Sequence, residues 1–440
     1  MNTPPPLKPP GEEEPRAPTF EEALWFWLRL GCISFGGPAG QIAVMHRELV
    51  EIRRWVSESQ FLRGLNFCMF LPGPEAQQLA TYLGWRLHGI RGGIVAGALF
   101  ILPSMFVMFG LSYLYVTNGD TRDIAAMLHG LQAAVIAVVF DAIMRLGSRS
   151  LRTAALWLLA AAAFVAIQFF GVSFVWIVAG AALIGFCGHK VLPGLFPAVV
   201  GTKEIVPEES APLPPPQPAS AVRAVKITAA GLALWCIPML ALVFFLGWES
   251  TAVKQGLFFS KVALVTFGGA YAVLPYVAQQ AVENFGWLTQ GQMMTGLALA
   301  ETTPGPLVMV LQFVGFLGSW EHPGRLEPMT AAIIGSLITT WVTFLPSFIF
   351  VLVGAPHVEH LGRRPALSAA LTAITAAVVG VILTLAVTFA SYALVPSGRF
   401  DWPLAIMTVV AFQILRSRGS SLIAVIIACA AAGWLLSRLG

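Results

Sequence analysis

The sequence predicts an all-α integral membrane protein of about thirteen transmembrane helices, arranged as two inverted, homologous repeats with helices broken at Phe-Gly-Gly and Pro-Gly-Pro motifs. Three observations predict this class. The 440 residues are 57% hydrophobic and only 11% charged, with a mean hydropathy of +0.77, against roughly 25% charged residues in soluble domains. Apolar runs of about 20 residues, enough to cross a hydrocarbon core of roughly 30 Å, recur along the chain. The third observation is a set of motifs that repeats at a fixed offset.

In chain order, the first 20 residues are rich in Pro and Glu and lack the basic-then-apolar order of a cleaved signal, so they read as a disordered cytoplasmic tail. Spans are predicted near 24–45, 64–84, 93–116, 124–146, 153–170 and 172–188, which closes a first repeat over 21–188. A Pro-rich linker follows over 189–225. A connecting helix over 226–248 then leads to a second repeat over 249–440, with spans near 253–279, 293–317, 330–354, 366–392, 402–416 and 421–438. With the amino terminus inside, fifteen basic residues fall on inner segments and nine on outer ones, as the positive-inside rule requires. The carboxy terminus is then periplasmic. One segment is discordant, because Arg47, Arg53, Arg54 and Arg63 lie in a nominally outer first loop, between two interrupted spans that are left open either to cross fully or to re-enter.

The repeat is read residue by residue. Phe35-Gly36-Gly37 recurs as Phe267-Gly268-Gly269 at an offset of 232, and the same offset maps Trp55 onto Trp287, Gln60 onto Gln292 and Pro72-Gly73-Pro74 onto Pro304-Gly305-Pro306 without a gap. Farther on the offset becomes 243, and Leu102-Pro103-Ser104 matches Leu345-Pro346-Ser347. The first span of the second half stands seven spans after the first span of the first half. An odd number reverses direction, so the halves are expected to be antiparallel, an architecture recurrent in secondary transporters.

Gly and Pro break the helical hydrogen-bond ladder. In a membrane that is tolerated where the freed groups face protein or a water-filled cavity, and the start of a half-helix there carries about half a positive charge. The four interruptions therefore suit an anion, although Gly and Pro also serve simply as kinks or packing faces. Six residues before each Phe-Gly-Gly stand Arg29 and Lys261, and Ser34 is matched by Thr266. Charges paired in this way are expected to contact an oxyanion, with snorkelling to the interface as the alternative for Arg29. Glu75, Asp141 and Glu301 are the acidic residues within spans, read either as coupling or charge-compensating groups or as structural ion pairs. Asn66, Gln77, Gln78, Thr302 and Thr303 are weaker polar candidates.

The remaining signals are quiet. The five cysteines lie in or beside apolar segments at no metal-ligand spacing, and His357, Glu359 and His360 lack a third partner nearby, so no metal and no cofactor is expected. Gly89, Gly93 and Gly97 read as a helix-packing face. No phosphate loop or nucleophile elbow supports an enzyme.

At the duplicated Phe-Gly-Gly and Pro-Gly-Pro segments, and in the spacing between them, the sequence resembles the chromate ion transporter family in its long, two-domain form. The resemblance covers the chain after residue 20. It implies a secondary carrier of a bacterial inner membrane that exports chromate and confers resistance, with chromate or a similar oxyanion and the lipid bilayer as partners, no nucleic acid, and a homodimer left open. A sulfate, molybdate or organic-anion carrier is the alternative within transport, and a passive anion channel or a structural membrane protein is the alternative outside it.

Overall fold

The computed structural model describes residues 17–119, 121–192, 194–197, 220–358, 365–417 and 421–439. Most of the amino-terminal tail and the centre of the linker lie outside them, as do Glu359 and His360. Among the described residues the secondary structure is helical throughout.

The first half opens with four helical pieces. Helix α1 (Phe20–Ile33) starts at a capping box in which Thr19 and Glu22 satisfy each other's backbone N–H groups. It ends at the first Phe-Gly-Gly. Helix α2 (Gly37–His46) then runs into a π-helical turn, Arg47–Ile52. Helix α3 (Glu58–Met69) starts at a Ser57–Gln60 capping box and stops before the first Pro-Gly-Pro, from which α4 (Glu75–Asn118) begins.

The second half repeats this sequence of events. Helix α8 (Ala221–Leu246) leads to α9 (Thr251–Val265), then to α10 (Ala270–Gln279) with a π-helical turn at Gln280–Asn284. Helix α11 (Gln290–Thr302) carries a Thr289–Gln292 capping box, and α12 (Val310–Glu321) follows a short 3₁₀ turn, Leu307–Met309. Both π turns and both capping boxes on α3 and α11 stand at the offset of 232.

The chain doubles back at each break. Gly64 on α3 lies against Tyr82 and Leu79 on α4, and Phe67 stacks near Tyr82 at 5.8 Å. In the second half Gly296 on α11 lies against Phe313 on α12. Each Pro-Gly-Pro is thus the tip of an antiparallel helical hairpin. The Phe-Gly-Gly breaks are wider turns of the same kind: Phe26 meets Trp55 at 5.1 Å, and the matched Phe258 meets Trp287 at 5.7 Å. Phe258 also touches Tyr276, nine residues beyond Phe267.

The spans read over 24–45, 64–84, 253–279 and 293–317 are therefore two short helices each, not single crossings. Periodicity could not show this, because both arms of a hairpin are apolar. The other nine expected spans each coincide with a continuous helical stretch: the second arm of α4, α5 (Arg122–Ser150), α6 (Ala154–Phe170), α7 (Phe174–Val191), α8, α13 (Pro328–Gly354), α14 (Pro365–Leu394), α15 (Trp402–Arg416) and α16 (Leu422–Leu439).

Helix α4 itself folds in two at His88 and Gly89, where Gly89 has φ +63°. Its arms touch through Gly84 and Gly92, so Gly89 is the turn of this hairpin and not part of a packing face. Gly93 and Gly97 do pack, against Thr81 and Trp85 of the first arm and Leu352 and Phe348 of α13.

Among the described residues six helices are long and apolar enough to cross a membrane, and α6, α12, α15 and α16 are apolar but shorter. Aromatic and aliphatic side chains fill two cores, one around α1–α4 (Trp27, Phe61, Leu79) and one around α5 and α9–α16 (Phe259, Phe313, Phe389). The outside is apolar as well. On α8, Phe244 is 82% and Phe245 78% exposed, a surface suited to hydrocarbon and not to water. The protein is a multi-pass membrane protein.

The arms of α4 leave no room for a side chain: a Cβ on Gly84 would stand 2.4 Å from the Gly92 carbonyl oxygen. Gly84→Val is expected to destabilise the detergent-purified protein by about 1–3 kcal/mol, the usual cost of overpacking. Thermal unfolding checks this, with Gly110→Ala, which meets nothing within 4 Å, staying close to wild type.

Candidate functional site

Each Pro-Gly-Pro tip is hydrogen-bonded to the Phe-Gly-Gly break of the other half. The Gly73 N–H donates to the Thr266 carbonyl at 2.8 Å, and the Gly305 N–H donates to the Ser34 carbonyl at 2.8 Å. Gly73 and Gly305 are matched at an offset of 232, and so are Ser34 and Thr266. These two carbonyls are free because the chain leaves the helix at the following Phe-Gly-Gly, and the glycine N–H groups are free because Pro-Gly-Pro cannot continue α3 or α11. The Ser34 and Thr266 hydroxyls do not compete. They donate back to the Leu30 and Val262 carbonyls at 2.6 and 2.7 Å.

A second matched contact holds each tip. A Cβ on Gly73, at φ +129°, would stand 2.3 Å from Ser347 Oγ, and one on Gly305, at φ +95°, would stand 2.6 Å from Ser104 Cβ. Ser104 and Ser347 belong to the matched Leu-Pro-Ser segments, at the offset of 243. The Gln41 amide donates to the Gly305 carbonyl. The Gln78 amide donates to the Pro72 carbonyl at 2.8 Å and reaches Ser347 Oγ at 3.4 Å.

The helices that start at the four breaks share a further property. Helices α2, α4 and α10 and the 3₁₀ turn leading into α12 have no side-chain cap, as is also true of α5, α7 and α9, whereas Thr19, Ser57, Thr153, Ser220, Thr289, Glu327 and Asp401 cap seven other helices. Uncapped helix starts leave N–H donors and a partial positive charge of about one half each. Ser104 Oγ is buried close by without a hydrogen-bond partner among the described residues, as is an oxygen on each of Gln41, Gln77 and Gln78. The arrangement offers fixed backbone donors and neutral polar groups to an anion, without a metal ligand set among the described residues.

The acidic residues gather around one of these starts. Glu75, the first residue of α4, has a carboxylate oxygen 3.9 Å from where a Gly269 Cβ would stand. Glu301, only 3% exposed, accepts a hydrogen bond from the Tyr271 hydroxyl, and Tyr271 is the second residue of α10. Asp141 forms an ion pair with Arg145 at 2.6 Å on α5, the helix packed against α11, which carries Glu301. Glu75 and Glu301 do not correspond by sequence offset, yet both border the second Phe-Gly-Gly.

Other sequence candidates are placed elsewhere. Arg29 and Lys261 are exposed, on the stripe that carries Trp25 in α1 and Leu257 in α9, and neither forms an ion pair with a described residue. The structure does not bring them to the tips. Asn66 is exposed, and the Thr302 and Thr303 hydroxyls donate to the Leu299 and Ala300 carbonyls. Sequence reasoning missed Tyr271 and Gln41, which have no counterpart of the same type at the offset of 232. It also read Ser104 and Ser347 only as repeat markers, although their recurrence was the available signal. A cavity of about 280 Å³ runs along α10 away from the break, lined by Gln168, Tyr276, Gln279, Glu283, Gln290 and Thr388 among others.

Gly73→Ala and Gly305→Ala are each expected to destabilise the protein by about 1–3 kcal/mol, through positive-φ strain and the clash with the facing serine. Gly37→Ala shares the positive φ, at +68°, but meets nothing within 4 Å and costs less. Unfolding of the three variants side by side checks the order, and Ser347→Gly partly restores Gly73→Ala if the clash is a real part of the effect.

Comparison with known proteins places the chain in a family. The model of the chromate transporter family matches residues 22–186 and again residues 253–434, so each half contains one copy of the two breaks. The chain is 32% identical over 436 residues to a chromate transport protein of Pseudomonas aeruginosa, covering 97% of this chain and 94% of that one. It is 28% identical over 404 residues to a chromate transport protein of Cupriavidus metallidurans, covering 91% and 89%. A probable chromate transport protein of Synechococcus elongatus is 28% identical over 365 residues, 83% of each chain. No solved structure matches. With the family match spanning both halves, the chain belongs to the chromate transporter family.

Proposed function

We propose that this protein is a secondary carrier that exports chromate, or another tetrahedral oxyanion of the same charge, through a site at the two crossed hairpin tips. The observation that carries the reading is the pair of hydrogen bonds Gly73 to Thr266 and Gly305 to Ser34. They hold uncapped helix starts of both halves together, and such starts bind oxyanions through backbone N–H groups. The residues proposed to form the site are Ser34, Phe35, Gly36, Gly37, Pro72, Gly73 and Pro74, with Thr266, Phe267, Gly268, Gly269, Pro304, Gly305 and Pro306. Arg29 and Lys261 are proposed to add positive potential along the path, and Glu75, Asp141 and Glu301 to balance charge.

The two halves are proposed to be inverted repeats whose hairpins enter the membrane from opposite sides. In this topology α1/α2 and α3/α4 dip in from the cytoplasm and return to it. The loop with Arg47, Arg53, Arg54 and Arg63 then joins the inner side, and the basic residues divide nineteen inside to five outside. The discordant segment thereby falls into line with the positive-inside rule. Nine full crossings follow, with the amino terminus in the cytoplasm of a bacterial inner membrane and the carboxy terminus outside. Ion pairs and hydrogen bonds agree with this sidedness: Arg438 meets Asp123, and His129 meets Asp401, each joining ends assigned to the outer face.

The direction follows from charge. Moving a dianion outward, down an inside-negative potential of 100 mV, releases about 4.6 kcal/mol, twice the single-charge value. In oriented proteoliposomes, chromate flux is expected to saturate with concentration and to rise when the source compartment is made negative. Gly73→Ala and Gly305→Ala variants that insert normally are expected to lose about tenfold or more, the equivalent of 1.4 kcal/mol. Flux that is linear in concentration, or indifferent to these glycines, would contradict a carrier with its site at the tips.

A further inference from the structure

Glu301 and Tyr271 form a pair that only the second half possesses. At the offset of 232 their counterparts are Met69 and Ala39, neither of which titrates. The scaffold of breaks and tips is thus duplicated, while this titratable pair is not. Tyr271 stands on the first turn of α10, where the backbone N–H groups follow the second Phe-Gly-Gly, and its hydroxyl donates to Glu301 Oε1. The other carboxylate oxygen, Oε2, is buried without a hydrogen-bond partner.

A phenol has one hydrogen to donate, and an ionised carboxylate can only accept. While Glu301 is charged, the Tyr271 hydrogen is committed to it and is withheld from the helix start. When Glu301 takes one proton from solution, its own O–H donates to the Tyr271 oxygen, and the phenolic hydrogen is free to turn toward an anion at α10. The same proton removes a negative charge that competes for the positive end of the helix. We propose that Tyr271 and Glu301 are a proton-linked switch, in which protonation of Glu301 presents the Tyr271 hydroxyl to the bound oxyanion, so that oxyanion binding takes up a proton. Tyr271 is a binding residue and Glu301 a positioning residue that acts through it. This rests on the oxyanion site proposed above.

The charged and titratable groups facing the pair limit the alternatives. From α5 come Asp141 and Arg145, already joined at 2.6 Å, and from α4 comes Glu75, which faces Gly269 and has Cys68 in its field. The α16 segment packed near α11 carries Cys429, and Tyr392 of α14 meets the far end of α11 at Gly291. None of these donates a hydrogen bond to Glu301.

The test is proton uptake on anion binding by the full-length protein in lipid nanodiscs, read with a pH indicator in weakly buffered solution near pH 7.5. Chromate and sulfate are the probes, sulfate being included because it holds no proton itself in this range. The wild type is expected to take up close to one proton per anion bound and to bind more weakly as pH rises. Glu301→Gln, whose amide can donate to Tyr271 permanently, should bind with an affinity independent of pH and take up no proton. Tyr271→Phe should weaken binding at low pH and flatten its pH profile, while Glu283→Gln, an exposed carboxylate of the matched loop, should behave as wild type. Anion binding without proton uptake in the wild type, or unchanged uptake in Glu301→Gln, overturns the switch while leaving the oxyanion site standing. Absence of any oxyanion binding by a folded wild type overturns both.

Discussion

The structure depends on one constraint: a backbone broken inside a membrane must find partners for the groups it frees, because hydrocarbon offers none. Here the partners are supplied by the other half of the molecule. The N–H of each Pro-Gly-Pro tip is satisfied by the carbonyl just before the opposite Phe-Gly-Gly. Each half thus completes a tip of the other, and the two halves are joined at their breaks. The positive φ at Gly73 and Gly305 and their contact with Ser347 and Ser104 leave little freedom in how the tips meet. An anion site built on such tips is positioned by the fold and not by long side chains, which agrees with Arg29 and Lys261 lying on exposed faces.

Much of this was legible in the sequence because duplication leaves a register. The offset of 232 that joins the Phe-Gly-Gly pair also joins the capping glutamines Gln60 and Gln292 and the paired rings of Trp55 and Trp287. The breaks themselves were readable, since Gly and Pro act locally on the backbone. What they do to chain direction was not. A kinked crossing and a hairpin share the same apolar runs, and the difference lies in contacts such as Gly64 with Tyr82 and Gly296 with Phe313. The charge pattern held the missing clue, because four arginines in a supposedly outer loop fit badly until both ends of that loop are placed on one side.

The candidate site was legible in its backbone and less so in its side chains. Symmetry favours residues that recur, so it drew attention to Arg29 and Lys261 and passed over Tyr271 and Gln41, which each occur in one half only. Glu75 and Glu301 likewise occur in one half only: unrelated by offset, they both stand beside the second Phe-Gly-Gly.

The most direct test of the hairpin architecture is sidedness at two matched loop positions. Ile52 and Asn284 are both exposed and stand 232 residues apart, and each can be replaced by cysteine in a background lacking the five native ones. With a membrane-impermeant maleimide, Ile52→Cys should label from the cytoplasmic face only and Asn284→Cys from the opposite face only. With an epitope tag placing the amino terminus in the cytoplasm, labelling of Ile52→Cys from outside would mean that the first span crosses completely, which contradicts the hairpin topology.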